Sequence, residues 1–276
     1  MDRRAPRRQN ARMQPGSSAR RFEGRHVAVT GAGTGIGRAI ALRLAQEGAA
    51  QSFFARDAGR IESVASEIRA RGGSAQAFAC DVRERAAVDR AFDAAREAQG
   101  SFFALVANSG IGGANQSGAQ DRFDDLVATN LVGTYSTIRA AERHLDPGSE
   151  PRHIVVIASI LARIGVAGYT GYCASKAGLL GLVRALAVEL APQHVQVNAV
   201  CPGWVETDMA LEGLDGMARG MNVTREEARR RAMTAVPMGR MSQPDEIAGV
   251  VAWLLSADAR GATGQGIDVN CGAFMS

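Results

Sequence analysis

The sequence predicts an α/β fold, a doubly wound parallel sheet with helices on both faces. Three observations predict it. Short apolar, β-branched runs alternate with helical patterns from residue 25 to residue 269, an alternation that gives a parallel sheet covered on both sides. The first run ends in a glycine-rich turn that leads directly into a helix. Later runs end in Arg56, Asp81, Asn108, Ser159 and Pro202-Gly203, and in such sheets ligands bind at the carboxyl ends of the strands.

Taken in order, Arg25 to Thr30 reads as a strand closed by Gly31-Ala32-Gly33-Thr34-Gly35-Ile36-Gly37, and Arg38 to Glu47 as a helix. Ala50 to Ala55 is the second strand, stopped by Arg56-Asp57, and Ile61 to Arg71 is helical. Ala75 to Ala79 leads to Cys80-Asp81-Val82 and an amphipathic helix from Arg85 to Ala98. Phe102 to Ala107 stops at Asn108-Ser109-Gly110, and one long helical pattern from Phe123 to His144 contains Asn130. His153 to Ala158 runs into Ser159, a helix spans Tyr172 to about Ala191, and Val195 to Val200 ends at Cys201-Pro202-Gly203. Ile247 to Leu255 is helical and Gly266 to Val269 is a last short strand. With no linker or repeat to divide it, the segment 24–276 reads as one domain, with residues 204–236 as a cover over its site.

Composition sets the class. A hydrophobic content of 46% and a charged content of 22% describe an ordinary globule, and no apolar run approaches the ~18 residues of a membrane span. Four cysteines without Cys-x-x-Cys spacing point to a reduced, cytoplasmic setting with no disulfide scaffold and no metal site. The net charge of +4 is unevenly placed: residues 1–25 hold eight arginines against Asp2 and Glu23. The basic character therefore belongs to a tail, residues 1–23, read as disordered and inert. An organelle transit peptide, or an extension upstream of a working start at Met13, are its alternative readings. No nucleic-acid or membrane partner is expected.

Tyr172 and Lys176 stand four apart near the start of a helical pattern, so a phenol and an ammonium share one face. An ammonium within a few ångströms favours the phenolate, lowering a pKa near ~10 by roughly 1 to 3 units. Such a tyrosine exchanges protons with an alcohol or carbonyl near neutral pH. Lys176 is also the single lysine of the chain, amid 31 arginines, which suits a task needing a compact point charge. A strand, glycine turn and helix N-terminus likewise place backbone N–H groups where a pyrophosphate can sit.

Together these residues resemble the short-chain dehydrogenase/reductase family over roughly residues 24 to 272. The resemblance rests on Thr30-Gly31-x-x-x-Gly35-Ile36-Gly37, Asp81-Val82, Asn108-Ser109-Gly110, Asn130, Ser159, Tyr172-x-x-x-Lys176 and Asn198 to Gly203 leading to Thr207. It implies a Rossmann fold and NAD(P)-dependent chemistry at a carbonyl or alcohol carbon. Tyr172 would exchange the proton with the substrate oxygen, and Ser159 would hydrogen-bond that oxygen. Lys176 would hold the nicotinamide ribose and lower the Tyr172 pKa, and Asn130 would hold a relay water. Cofactor binding is expected from Gly31, Gly33, Thr34, Gly35, Ile36, Gly37, Arg56, Asp81, Val82, Asn108, Ser109, Gly110, Tyr172, Lys176, Pro202, Gly203, Val205 and Thr207. The sequence departs from the usual family pattern at Ser109, where alanine is usual, and at Val269-Asn270-Cys271-Gly272, which replaces Val-Asp-Gly-Gly.

NADP (NADPH) is favoured over NAD, because Arg56 follows the position of the usual NAD-selecting acid and can clamp a 2′-phosphate. Asp57, about 20 residues beyond the glycine turn, complicates that choice. Trp204, Val205 and the methionines 209, 217, 221 and 233 suggest an apolar lining for a hydrophobic ketone, β-ketoacyl or polyketide-like substrate; the methionines can also serve, together with that or alone, to pack a lid helix against the core. The stretch Val197 to Met209 resembles β-ketoacyl and polyketide ketoreductases. Family members are usually homotetramers or homodimers joined through the helices that here hold Asn130 and Tyr172. An NAD-dependent alcohol dehydrogenase working oxidatively is the alternative enzyme, and a dinucleotide-sensing binding protein the alternative outside enzymes.

Overall fold

The computed structural model describes residues 20–115 and 117–275. Seven parallel strands form one sheet in the order β3-β2-β1-β4-β5-β6-β7. They are β1 His26–Thr30, β2 Ala50–Ala55, β3 Ser74–Ala79, β4 Ala104–Ala107, β5 Arg152–Ile157, β6 Val195–Pro202 and β7 Gly266–Val269. The chain steps outward from β1 through β2 to β3, then restarts at β4 and proceeds the other way. Neighbouring β1 and β4 are therefore the switch point where a crevice opens at the carboxyl ends.

The helices are α1 Gly35–Gln46, α2 Ala58–Ala70, α3 Arg85–Gln99, α4 Phe123–Val127, α5 Gly133–Glu142, α6 Thr170–Leu190, α7 Asp208–Met221, α8 Arg225–Thr234 and α9 Pro244–Leu254. On one face Val27, Val29 and Phe53 pack with Ile40 and Leu44 of α1, Ile61 and Ile68 of α2, and Ile247 and Val251 of α9. On the other, Ala28 and Phe54 pack with Val88 and Phe92 of α3, Ile138 of α5, and Leu179 and Val183 of α6. Adjacent Phe53 and Phe54 thus serve opposite faces, as the pleat requires. Phe54 stacks on Phe92 at 4.1 Å between ring centroids, and full burial of each such ring contributes roughly 1.5–3 kcal/mol. Among the described residues no helix is long and apolar enough to cross a membrane.

The structure revises the sequence reading in three places. The long helix expected from Phe123 to His144 is broken by a π-helical turn, Ala128–Val132, between α4 and α5; such turns cluster at functional sites, and this one carries Asn130. Residues 204–236, to which the sequence assigned no elements, form a helix pair, α7 and α8, each capped by a threonine, Thr207 and Thr224. Finally, the end of the expected disordered tail is packed. Phe22 is 1% exposed, and Arg21 donates to the buried Glu47 at 2.9 Å. Burying an aromatic ring and satisfying a buried carboxylate outweigh the cost of ordering these residues. Residues 1–19 of the expected tail lie outside the described residues.

Candidate active site

The glycine turn is fixed by contacts that leave no room for side chains. Thr30 Oγ1 accepts from the backbone N–H groups of Asn108 at 3.0 Å and Ser109 at 2.9 Å. Asn108 Nδ2 donates to the Thr30 and Gly31 carbonyls, each at 3.1 Å. These bonds tie the ends of β1 and β4 together across the crevice. A Cβ at Gly37 would stand 2.1 Å from the Gly31 carbonyl oxygen, and one at Gly33 would stand 2.9 Å from Arg60 Cβ. Gly31 and Gly35 adopt positive φ, +68° and +52°, where glycine alone is unstrained. Ile36 packs partly against the core.

This turn fits a phosphate. Thr34, the N-cap of α1, is extended and its side chain makes no capping bond, and no acid stands in the first turn. The orphan N–H groups and the positive end of the helix dipole are therefore open to an anion. Beyond β2, Arg56 is exposed. Asp57 is consumed as the N-cap of α2, accepting from Arg60 N at 3.0 Å and facing Arg60 Nε at 3.2 Å. That explains the acid at this position without a ribose. Beyond β3, Asp81 accepts from Arg83 Nη2 at 2.7 Å and from Arg83 N at 3.0 Å. The Arg83 hydrogen bond holds the Asp81 carboxyl below its ordinary pKa despite partial burial. Val82 is buried against α5, where a Cβ at Gly133 would stand 2.7 Å from Val82 Cγ2.

Ser159, Tyr172 and Lys176 come together as expected. Ser159 lies two residues beyond β5 and its Oγ accepts from Leu161 N at 3.1 Å, starting a short 3₁₀ turn at Ile160–Ala162. The same hydroxyl lies close enough to the Tyr172 phenol to draw its pKa down. One helical turn on, buried Lys176 donates from Nζ to the Ile157 carbonyl at 2.9 Å and lies 5.7 Å from the Tyr172 ring centroid. The electrostatics correct the sequence expectation. Burial pushes the Tyr172 phenol up, against the pull of the Ser159 hydroxyl, and burial pushes the Lys176 ammonium down to about 8. Desolvation disfavours both charged forms, so in this state Lys176 does not depress Tyr172.

Asn130 is fully buried, and its amide is largely spent on the protein. Oδ1 accepts from Ile111 N at 2.8 Å, while Nδ2 donates to the Ile111 carbonyl at 3.0 Å and to Ser175 Oγ at 3.1 Å. This pins the loop after β4 so that a Cβ at Gly110 would lie 3.6 Å from Lys176 Nζ. With both amide hydrogens committed, the side chain positions the loop and is not free to donate to a relay water.

Residues 202–209 meet the site between β6 and α7. Pro202 ends β6, and Gly203 sits so close to β7 that a Cβ would stand 2.9 Å from Asn270 Cβ. Val205 is buried and bridges to Ser242. Thr207 caps α7 and places its methyl 3.1 Å from where a Gly35 Cβ would be. Met209 leans on the loop after β4, with Sδ 2.9 Å from a Cβ built at Gly112. Met217 and Met233 instead pack, with Trp204, against Leu214 and Met241 in a small cluster between α7, α8 and the segment before α9.

Two residues of the loop after β4 escaped the sequence reading. Asn115 Oδ1 accepts from Gly171 N at 2.9 Å and from Thr170 Oγ1 at 3.1 Å, while its Nδ2 donates to Thr170 Oγ1 at 2.9 Å. It thereby caps α6 from a distance, since Tyr169 at the N-cap offers no side-chain bond. Arg122 donates to the Gly112 carbonyl at 3.3 Å. Neither contact has a local sequence signature.

Residues 31–273 match a family model described as enoyl-(acyl carrier protein) reductase. The chain is 37% identical to an L-rhamnose 1-dehydrogenase (NAD(P)(+)) of Azotobacter vinelandii over 256 residues, covering 91% of this chain and 96% of that protein. It is 38% identical to a putative ketoacyl reductase of Streptomyces coelicolor over 251 residues, 89% of this chain and 95% of that protein. Among solved structures, a single-residue variant of actinorhodin polyketide ketoreductase with NADPH superposes with a TM-score of 0.84 at 34% identity, covering 93% of this chain and 99% of that one.

Proposed function

We propose that this chain, which belongs to the short-chain dehydrogenase/reductase family and is thus an oxidoreductase of carbonyl and hydroxyl groups, reduces an apolar ketone or β-ketoacyl compound with NADPH. One observation carries the reading: buried Lys176 stands 5.7 Å from the Tyr172 ring centroid, with Ser159 close enough to draw the phenol's pKa down. A binding protein has no use for a proton donor kept neutral by burial beside a hydroxyl donor.

The dinucleotide's phosphates would lie on the open N-terminus of α1, beside Gly33 and Gly35, with Asn108 to Gly110 and Thr207 walling the crevice. The nicotinamide supplies the hydride. Tyr172 passes its proton to the carbonyl oxygen, and the raised phenol pKa keeps that proton in place until negative charge develops there. Ser159 donates a hydrogen bond to the same oxygen. Lys176 would turn its ammonium from the Ile157 carbonyl toward the ribose hydroxyls and the phenolate left on Tyr172. Arg56, exposed and with Asp57 diverted to α2, supports NADPH over NADH through paired bonds to a 2′-phosphate.

An apolar substrate is supported by Phe123, Val166 and Met209, which stay exposed in the loops and first turns around Tyr172. A homotetramer or homodimer is supported by exposed Val132 and Val188, on the π turn and on α6. A cytoplasmic setting is supported by four cysteines that are all free. The test is a fluorescence titration with NADPH and NADH, followed by NADPH oxidation on a panel of apolar ketones. Tighter NADPH binding and ketone-dependent oxidation are expected; failure of both cofactors to bind refutes the reading.

A further inference from the structure

We infer that Arg122 is a specificity-determining residue that reads a negative charge, carboxylate or phosphate, on the substrate some bonds away from the reacting carbonyl. The inference rests on the carbonyl-reductase reading and names the substrate class of that same site: amphipathic compounds with an apolar carbonyl end and an anionic end.

The position of Arg122 follows from contacts around one short loop. Gly110 lies beside Lys176 Nζ, and Ile111 is held at both backbone groups by Asn130. The next two residues are glycines with a side chain leaning on each: Met209 on Gly112, and Arg122 on Gly113, where a Cβ would stand 2.8 Å from Arg122 Nη1. Phe123, the neighbour of Arg122, packs on Gly171, where a Cβ would lie 3.0 Å from Phe123 Cα, next to Tyr172. Arg122 therefore sits on the same rim as the apolar Phe123 and Met209.

Its charge is unanswered there. The guanidinium is half-buried and, among the described residues, makes one hydrogen bond, to the Gly112 carbonyl at 3.3 Å, which leaves most of its five donors unused. Two nearby acids are engaged elsewhere, and no ion pair of Arg122 is found among the described residues. Asp121 accepts from Phe123 N at 3.0 Å and Asn115 Nδ2 at 3.2 Å, and Asp125 faces Arg83 at 3.7 Å. Arg83 and Arg163, which also follow the strand ends, are both neutralised, by Asp81 and Asp268. A partly desolvated guanidinium without a carboxylate is a poor arrangement for stability and a good one for a charged ligand.

The experiment uses full-length protein with NADPH and three compounds bearing one β-ketoacyl chain: its neutral N-acetylcysteamine thioester, its phosphopantetheine thioester, and a matched ketone with a terminal carboxylate. The expected result is a KM for at least one anionic compound below that of the neutral thioester, and the compound favoured identifies phosphate or carboxylate as the source. R122Q should raise that KM roughly tenfold, with kcat and the neutral thioester unchanged. R122K should restore part of the loss, and added salt should weaken only the anionic compounds. Equal KM values in the wild-type protein, or an R122Q effect equal on all three, overturn the inference and leave the reductase reading standing. If none of the three is reduced although NADPH binds, the reductase reading falls, and the inference with it.

Discussion

Lys176 Nζ stands 2.9 Å from the Ile157 carbonyl at the end of β5 and 5.7 Å from the centre of the Tyr172 ring. The ammonium is held by a backbone acceptor, with no carboxylate in salt-bridge contact among the described residues. Its pKa falls from 10.5 to about 8 on burial, so between those values the unfolded chain binds the proton that the folded chain has lost. Stability must therefore rise with pH across that window. Relative to Lys176→Met, the wild-type protein should gain about 3 kcal/mol between pH 8 and pH 10.5, measured by urea unfolding at a series of pH values. A flat difference refutes the assignment. The variant should also lose carbonyl reduction by at least ~100-fold.

Gly37→Ala is expected to reverse the usual sign of its substitution. Replacing glycine by alanine inside a helix ordinarily stabilises by roughly 0.5–1 kcal/mol. Here the new methyl would stand 2.1 Å from the Gly31 carbonyl and 2.5 Å from Asn108 Nδ2, so the β1 and β4 turns must separate. Melting temperature and dinucleotide affinity should fall together.

Asn115→Ala should act on the start of α6. Loss of the bond to Gly171 N removes a cap worth about 0.5–2 kcal/mol one residue before Tyr172. The expected outcome is a lower kcat with little change in NADPH affinity, since Asn115 touches none of the residues around the glycine turn. Asn115→Asp, which keeps the acceptor but sets a second carboxylate against Asp121 Oδ1, should recover only part of the rate.

Arg56→Ala should raise the KM for NADPH by roughly tenfold or more and leave that for NADH near its wild-type value. Unchanged discrimination between the two would remove Arg56 from the 2′-phosphate site. Asp57→Ala should instead lower stability by about 1 kcal/mol through the lost cap of α2.

Acid sensitivity should trace to His153. Burial, with Arg25 and Arg152 adding like charge, pushes its pKa from 6.5 down to about 4, and its buried Nδ1 has no partner among the described residues. A base with a depressed folded pKa stabilises fully above pH 6.5 and loses that stability as pH falls toward 4. Burial lowers His26 in the same direction. His153→Leu should flatten the loss across that window, by about 3 kcal/mol, in thermal melts at successive pH values.

The fold was legible in residue order because its signals are local. The apolar runs at Val27–Val29 and Ile154–Ile157, and the turns that end them, mark strands wherever they lie in space. The π turn at Ala128–Val132 was not legible, since its register is set by the pull of Ile111 and Ser175 on Asn130, partners 19 and 45 residues away in the chain. Phe22 read as part of a polar tail for the same reason: its burial depends on the fold it packs against.

By itself, then, the sequence determined the sheet, the glycine turn, and the set Ser159, Tyr172 and Lys176, because helical spacing and strand ends are properties of neighbouring residues. The tertiary structure alone decided what those groups experience. Burial reverses the expected Tyr172 shift, and Asn115 caps α6 from another loop. Each of these outcomes depends on desolvation or on a partner distant in the chain, and neither is written in local order.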